Sequence, residues 1–162
     1  MTIPVGYNFT ERLRQSIQLA RGAASRLHHE RVTPVHIALG ILEEGEGVAA
    51  TALRFHGIAL DDVERDLIGA LGEVRATPES PHEPGLSEET ESLLDAARNE
   101  SRELGHPYVG SEHVLLGLLR DVDSIPAQLL ERRGFSYADA KARVSWILGS
   151  DPFHPEPYAG PQ

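Results

Sequence analysis

Apolar residues recur along this chain at helical intervals. Between positions 10 and 27 they lie three or four residues apart, on one face of a predicted helix: Leu13, Ile17, Ala20, Ala24 and Leu27. Thr10 stands at the N-cap position of this helix, and Thr33 followed by Pro34 begins a second one. No segment alternates apolar and polar residues over the length of a strand. The pattern therefore predicts an all-α fold.

Two shorter helices complete this first unit. The helix that starts after Thr33 is apolar on more than one face, so we expect it at the centre of the fold. After the sequence EEGEG, a short helix through Val48 and Phe55 is predicted to end at Gly57, because glycine accepts the left-handed conformation that follows many helices. A fourth helix is predicted over about 61–71.

The chain matches itself when it is shifted by 77 residues, and the register does not slip. The aligned pairs include His36 with His113, Gly40 with Gly117, and Gly57 with Gly134. Such regularity indicates an internal duplication. We therefore predict two pseudo-symmetric four-helix repeats, about eight helices in all, at 9–72 and 86–149, packed as one compact domain.

The second repeat follows the same plan. Three serines are predicted as N-caps: Ser87, Ser111 and Ser124, the last with Pro126 in the first turn. The fourth helix, from about Tyr137 to Leu148, is predicted to bury Ala140, Val144 and either Trp146 or Ile147.

Three segments fall outside the repeats. Residues 1–8 form a short extension, and 73–85 contain three prolines and read as an exposed linker. The tail at 150–162 has four prolines and is expected to be extended, with Phe153 and Tyr158 available to lie against the domain or a partner.

Composition and charge narrow the classes of function. With 25 acidic and 15 basic residues the formal net charge is −10, which disfavours binding to nucleic acid or to an anionic membrane. There are no cysteines, no apolar run long enough for a membrane span, and no secretory signal pattern at the N-terminus. We therefore expect a cytoplasmic protein.

The sequence offers no catalytic, metal or cofactor site. His28 and His29 are adjacent and point in different directions on a helix, so they make a poor metal pair. His36 and His113, early in apolar helices, are expected to be packing residues hydrogen-bonded to a neighbouring turn. Ser111, Glu112 and His113 are sequence neighbours on a helix, which does not assemble a triad. We expect a protein that is not an enzyme.

The repeated phrases carry a family resemblance. FTERLRQSIQLARG and TPVHIALGILEEGEGVAA in the first copy, and LGHPYVGSEHVLLGLL in the second, resemble the two halves of the Clp N-terminal repeat domain of ClpC-type unfoldases. The resemblance covers 9–149. It implies a non-enzymatic module that binds peptides and receives protein substrates and adaptors for a Clp ATPase.

The resemblance also implies one pocket for phosphorylated arginine in each repeat. Glu112 would grip the guanidinium in the second pocket, with the phosphate near Ser87 and with Tyr108 close by. In the first pocket Thr10 is present, but Val35 replaces the glutamate and cannot balance a guanidinium. We predict that only the second pocket is functional. If Glu112 is a surface ligand, replacing it with alanine should change stability by less than about 0.5 kcal/mol.

The use of the domain has three interpretations. It is a stand-alone adaptor, regulator or substrate receptor, the N-terminal fragment of a full unfoldase, or a decoy that sequesters cyclic peptides directed at Clp N-domains. The tail lacks the charged linker expected before an ATPase module, which favours a stand-alone protein. In each case we expect the binding surface to be the groove between the repeats, near Phe9 and Leu86.

Overall fold

The computed structural model describes residues 8–72 and 83–149, and in these ranges eight α-helices dominate. The first repeat contains α1 (Glu11–Arg26), α2 (Pro34–Glu44), α3 (Val48–Phe55) and α4 (Leu60–Gly72). The second contains α5 (Glu88–Glu103), α6 (Ser111–Arg120), α7 (Ile125–Arg132) and α8 (Tyr137–Leu148). The predicted all-α class is confirmed. Most of the predicted extension and linker, and the whole tail with Phe153 and Tyr158, lie outside the described residues.

Most of the predicted helix caps form as expected. The Thr10 hydroxyl accepts a hydrogen bond from the Leu13 amide at 3.2 Å, and Ser87 does the same for Thr90 at 3.1 Å. Ser124 caps α7 by accepting from Ala127. Each cap satisfies one of the amides that the first turn of a helix leaves without a partner.

The predicted cap at Ser111 is wrong. Gly110 is the N-cap of α6, and Ser111 is the first helical residue. The Ser111 hydroxyl instead accepts a hydrogen bond from the Ala49 amide of α3, at 3.2 Å. The N-cap of α3 is Gly47, which has no side chain to offer. A serine of the second repeat thus caps a helix of the first.

Short backbone pairings cross between the repeats. The two-residue strands β1 (Arg31–Val32) and β2 (Gly85–Leu86) pair in parallel, and an isolated parallel bridge joins Phe9 to Val109. The shift of 77 residues relates Phe9 to Leu86. Each repeat therefore pairs the segment before its first helix with the segment before the other repeat's second helix.

The core centres on α2 and α6. Every residue from Val35 to Leu42 is buried, as is every residue from Ser111 to Leu119. Outside this core, α3 and α8 share a small separate apolar cluster. The sequence left open whether Trp146 or Ile147 faces inward: Ile147 is buried, and Trp146 is 71% exposed.

The two aligned helix glycines, Gly40 and Gly117, differ in how closely a neighbouring helix approaches. A Cβ atom on Gly40 would lie 2.2 Å from the Ser16 carbonyl oxygen in the backbone of α1. On Gly117 its nearest neighbour would be the Cδ1 atom of Leu93, at 3.2 Å. The α1–α2 contact in the first repeat therefore requires glycine, whereas the equivalent contact in the second meets a side chain that is able to move.

We expect Gly40→Ala to lower the free energy of unfolding by about 2–3 kcal/mol, because the α1 backbone must move away. Gly117→Ala is the matched control. It should change stability by less than about 1 kcal/mol, since the gain in helix propensity offsets a small shift of Leu93. Urea denaturation of both variants measures the difference, and equal losses would contradict the distinction.

Candidate functional site

A shallow trough of about 880 Å³ runs across the first half of α1. Both residues predicted for the binding groove, Phe9 and Leu86, line it. Its other apolar residues are Ile17, Leu19 and Leu94. Phe9 is buried beneath the Arg98 guanidinium, whose carbon lies 5.3 Å from the ring centroid, so it forms part of the floor. The crossed backbone pairings therefore bring the starts of α1 and α5 to one surface.

The rim of this trough carries charges of both signs. Arg12 donates to Glu44 at 2.9 Å, and the Arg14 Nε donates to the Phe9 carbonyl at 3.3 Å. Glu11 and Glu43 also line the trough. An apolar floor with a mixed polar rim suits a protein segment.

Two of the lining residues were not singled out from the sequence. Leu94 reads as an ordinary core position of α5. Leu19 lies off the apolar stripe of α1 and is 37% exposed. An apolar residue on the polar face of a helix was the signal that could have identified it.

A pair of histidines begins the second helix of each repeat. The His36 Nδ1 accepts from the Thr33 amide at 2.9 Å, so in the neutral ring the proton is on Nε2, which lies 2.9 Å from the His29 Nδ1. The same arrangement joins Gly110, His113 and His106. Burial lowers the pKa of His36 to about 4 and of His113 to about 3, with smaller contributions from His29 and His106. The predicted packing role of His36 and His113 is confirmed.

Glu112 is buried, and the expectation of a surface side chain is wrong. It is only 3% exposed, with its carboxyl group next to the Tyr108 hydroxyl that hydrogen-bonds to it. A Cβ atom on Gly110 would lie 2.2 Å from the Glu112 Oε1, so this glycine makes room for the carboxyl group. Burial raises the pKa of Glu112 to about 7, and burial together with the neighbouring Glu112 raises the pKa of Tyr108 to about 12.

The helix starts and the second-helix loops meet across the repeats. The Thr10 amide donates to the Val109 carbonyl at 2.9 Å, which brings the start of α1 to the loop that leads to Glu112. The Ser87 amide donates to the Val32 carbonyl at 3.0 Å, beside the first-repeat segment that contains Val35. The resemblance had implied a pocket built within each repeat. The backbone hydrogen bonds instead associate Thr10 with the segment of Glu112.

The second repeat also has a polar cluster that the duplication does not share. Buried Glu100 accepts hydrogen bonds from Arg120 and, at 2.8 Å, from the Tyr137 hydroxyl. The aligned positions in the first repeat are Ala23, Glu43 and Leu60. The cluster ties α8 to α5 and α6, and its departure from the repeat pattern was a readable signal.

Searches for two other kinds of site are limited to the described ranges 8–72 and 83–149. There, no group of three or more histidine, aspartate or glutamate residues is arranged to hold a metal ion. Within the same ranges, no helix has both the length and the apolar character to span a membrane.

The fold and the trough define a class of protein: a two-repeat helical domain that presents an apolar surface with a charged rim to protein segments. The chain belongs to the Clp repeat (R) N-terminal domain family, whose model matches residues 8–133 and 85–157. Domains of this family are substrate- and adaptor-binding modules of Clp ATPases and are not themselves catalytic.

The curated relatives are far longer than this chain. It is 34% identical over 143 residues to the negative regulator of genetic competence ClpC/MecB of Bacillus subtilis, which covers 88% of this chain and 17% of that protein. It is 38% identical over 143 residues to the chloroplastic chaperone protein ClpC of Pisum sativum, which covers 87% of this chain and 15% of that protein.

Solved structures share the fold. The Hsp104 N-terminal domain from Candida albicans has a TM-score of 0.75 at 21% identity, with 89% of this chain and 93% of that chain covered. A ClpV N-domain in complex with a VipB peptide has a TM-score of 0.71 at 19% identity, with 94% and 96% covered.

The raised pKa of Glu112 predicts a specific pH dependence of stability. The carboxyl group ionises near pH 4.5 when the chain is unfolded and near pH 7 when it is folded. Folding therefore becomes less favourable as the pH rises from about 4.5 to 7, by up to about 3 kcal/mol.

Glu112→Gln removes this ionisation and keeps an oxygen for Tyr108. We expect the stability of the variant relative to the original protein to rise between pH 5 and pH 8, measured by denaturation at each pH. Glu91→Gln, an exposed acid on α5, is the control and should show no such trend. A stability difference that does not vary with pH would contradict the buried, neutral state of Glu112.

Proposed function

We propose that this chain binds protein substrates or adaptors of a Clp ATPase through the trough lined by Phe9 and Leu86. The observation that carries the proposal is the trough itself, an apolar-floored surface of about 880 Å³ at the junction of the two repeats. Its floor is held by backbone pairing from both repeats, so the surface is formed before a partner arrives. A preformed surface loses little conformational entropy on binding.

The relatives leave two settings for this activity, because the chain spans only 17% of the ClpC/MecB protein. In one it acts alone as an adaptor, regulator or substrate receptor, and in the other it is the N-terminal part of an unfoldase. Both use the same trough. The neighbouring ClpV N-domain has been solved with a peptide, which supports peptide binding in either setting. Sequestration of cyclic peptides would use this surface as well.

A second candidate is recognition of phosphorylated arginine beside Glu112. Two observations support it: a buried carboxyl group and the start of α1, which the Thr10–Val109 hydrogen bond places at the same loop. A guanidinium would stabilise the ionised carboxylate, and the free amides of a helix start suit a phosphate. We infer that Thr10, more than Ser87, belongs to this site. Val35 leaves the equivalent position in the first repeat without a carboxylate.

Substitution at the rim of the trough tests the main proposal. We expect Leu19→Asp to weaken binding of a permanently unfolded protein, such as reduced and carboxymethylated α-lactalbumin, by about tenfold, because it places a charge on the apolar surface. Ile68→Asp is the matched control, since Ile68 is also an exposed apolar residue but lies on α4 and does not line the trough. Fluorescence anisotropy of the labelled substrate measures both. Equal binding by both variants would contradict the proposal.

Calorimetric titration with free phosphoarginine, with unmodified arginine as control, tests the second candidate separately. We expect about one equivalent to bind, binding to be lost in Glu112→Gln, and Thr10→Val to weaken it more than Ser87→Val does. Absence of binding would remove the phosphoarginine site and leave the trough proposal intact. Equal effects of the two hydroxyl substitutions would contradict the assignment of Thr10 to this site.

A further inference from the structure

We propose that the face formed by α3 and α8 is a second interaction surface, which binds an acidic protein segment with an apolar anchor through Phe55, Trp146 and Arg143. This surface is distinct from the trough across α1, and none of these three residues lines that trough.

Two aromatic side chains meet in solvent on this face. Trp146 is 71% exposed and Phe55 is 53% exposed. Their ring centroids are 5.5 Å apart, with the rings at 74° in an edge-to-face arrangement. The pair lies beside the small apolar cluster that joins the two helices, formed by Val48, Ala52, Val144, Ile147 and Leu148. Exposed apolar surface that continues from a buried cluster is typical of an interaction site.

The helix packing itself does not require these aromatic residues. The internal duplication relates the α3–α8 contact to the contact between α7 and α4. At the aligned positions there, the chain has Arg132 in place of Phe55 and Gly69 in place of Trp146. The fold thus makes the same type of contact once with aromatic residues and once without them. Only one of the two equivalent faces has acquired an exposed aromatic pair.

The charge of this face is opposite to that of the whole protein. The chain has a formal net charge of −10, yet α3 contains Arg54 and no acidic residue. In α8, Lys141 and Arg143 face a single acid, Asp139. That carboxylate accepts hydrogen bonds from the Ser136 amide at 2.9 Å and from its hydroxyl at 3.0 Å, so it is committed to capping α8.

Arg143 is positioned to act together with the aromatic pair. It lies three residues before Trp146 and hence on the same side of α8. Its Nε is 3.4 Å from the Nδ1 of His56, the residue after Phe55, which holds the guanidinium over the junction of the two helices. Tryptophan and arginine are the residues that most often dominate binding energy at protein interfaces.

This combination selects the occupant. A basic, aromatic face on an acidic protein complements a partner that is acidic and carries an apolar side chain. A second copy of this chain, also at −10, is repelled at long range, and nucleic acid is repelled for the same reason. An acidic protein segment satisfies both the aromatic pair and the surrounding charge.

Trp146 is the only tryptophan, so its fluorescence reports directly on this face. The probe is a synthetic amphipathic peptide of about 14 residues, with leucines at helical spacing on one side and glutamates on the other. A second peptide has lysine at every glutamate position. With the full chain, we expect the acidic peptide to shift the Trp146 emission to shorter wavelength, and its affinity to fall several-fold between about 50 mM and 300 mM salt.

The variants separate this surface from general stickiness. Phe55→Ala should weaken binding of the acidic peptide about tenfold and Arg143→Ala about fivefold, while Arg132→Ala, at the aligned position in the other repeat, should leave it unchanged. Phe55 and Arg132 are both exposed, so neither change should unfold the protein, which circular dichroism checks. Leu19→Asp in the trough should have no effect, so failure here is distinguishable from failure of the proposed function.

Four results would overturn the proposal. The lysine peptide binds as tightly as the acidic one, the emission does not change with up to about 1 mM acidic peptide, Phe55→Ala binds normally, or a single-stranded DNA oligonucleotide binds more tightly than the peptide. The last result would identify a nucleic-acid surface instead.

Discussion

The crossed backbone pairing between the repeats is the constraint on which the rest of this structure depends. Thr10 donates to Val109 at 2.9 Å, and Ser87 donates to Val32 at 3.0 Å. Neither repeat supplies both sides of its own bridge, so each needs the other to satisfy these backbone groups. The same crossing builds the trough floor from Phe9 and Leu86 and brings the start of α1 to the loop before Glu112. The two repeats therefore form one folding unit and one binding surface.

Divergence between the repeats concentrates at positions that the shared fold leaves free. The histidine pairs that begin α2 and α6 are repeated almost unchanged, because they satisfy the same backbone groups in both. At other aligned positions one repeat compensates for the other, as when Ser111 caps the helix that follows Gly47. Elsewhere a difference adds chemistry without a structural need, as with Glu112 opposite Val35. A duplicated fold thus separates residues that build the scaffold from residues available for binding.

Helices, most caps and the duplication were predictable from the sequence, because each depends on residues within one or two turns. What failed depends on distant partners. Ser111 reads as a cap by its local sequence, but the amide it satisfies belongs to Ala49, 62 residues away. Trp146 reads as core because it is large and apolar, yet its neighbour Ile147 takes the inward face of α8. The trough was located because Phe9 and Leu86 occupy aligned positions, whereas the burial of Glu112 left no local signal.

The buried ionisable groups near the loop between α5 and α6 are all held neutral. Burial moves the pKa of Glu112 up and the pKa of His113 down, so near neutral pH the carboxyl group retains much of its proton and the imidazole gives its proton up. A neutral interior is consistent with the position of this loop against the backbone of Phe9 and Thr10, where an unpaired charge would be costly. A cation entering beside Glu112 would reverse this balance, because its charge stabilises the carboxylate. The energy that folding spends on keeping Glu112 protonated is thereby available as selectivity for a positively charged ligand.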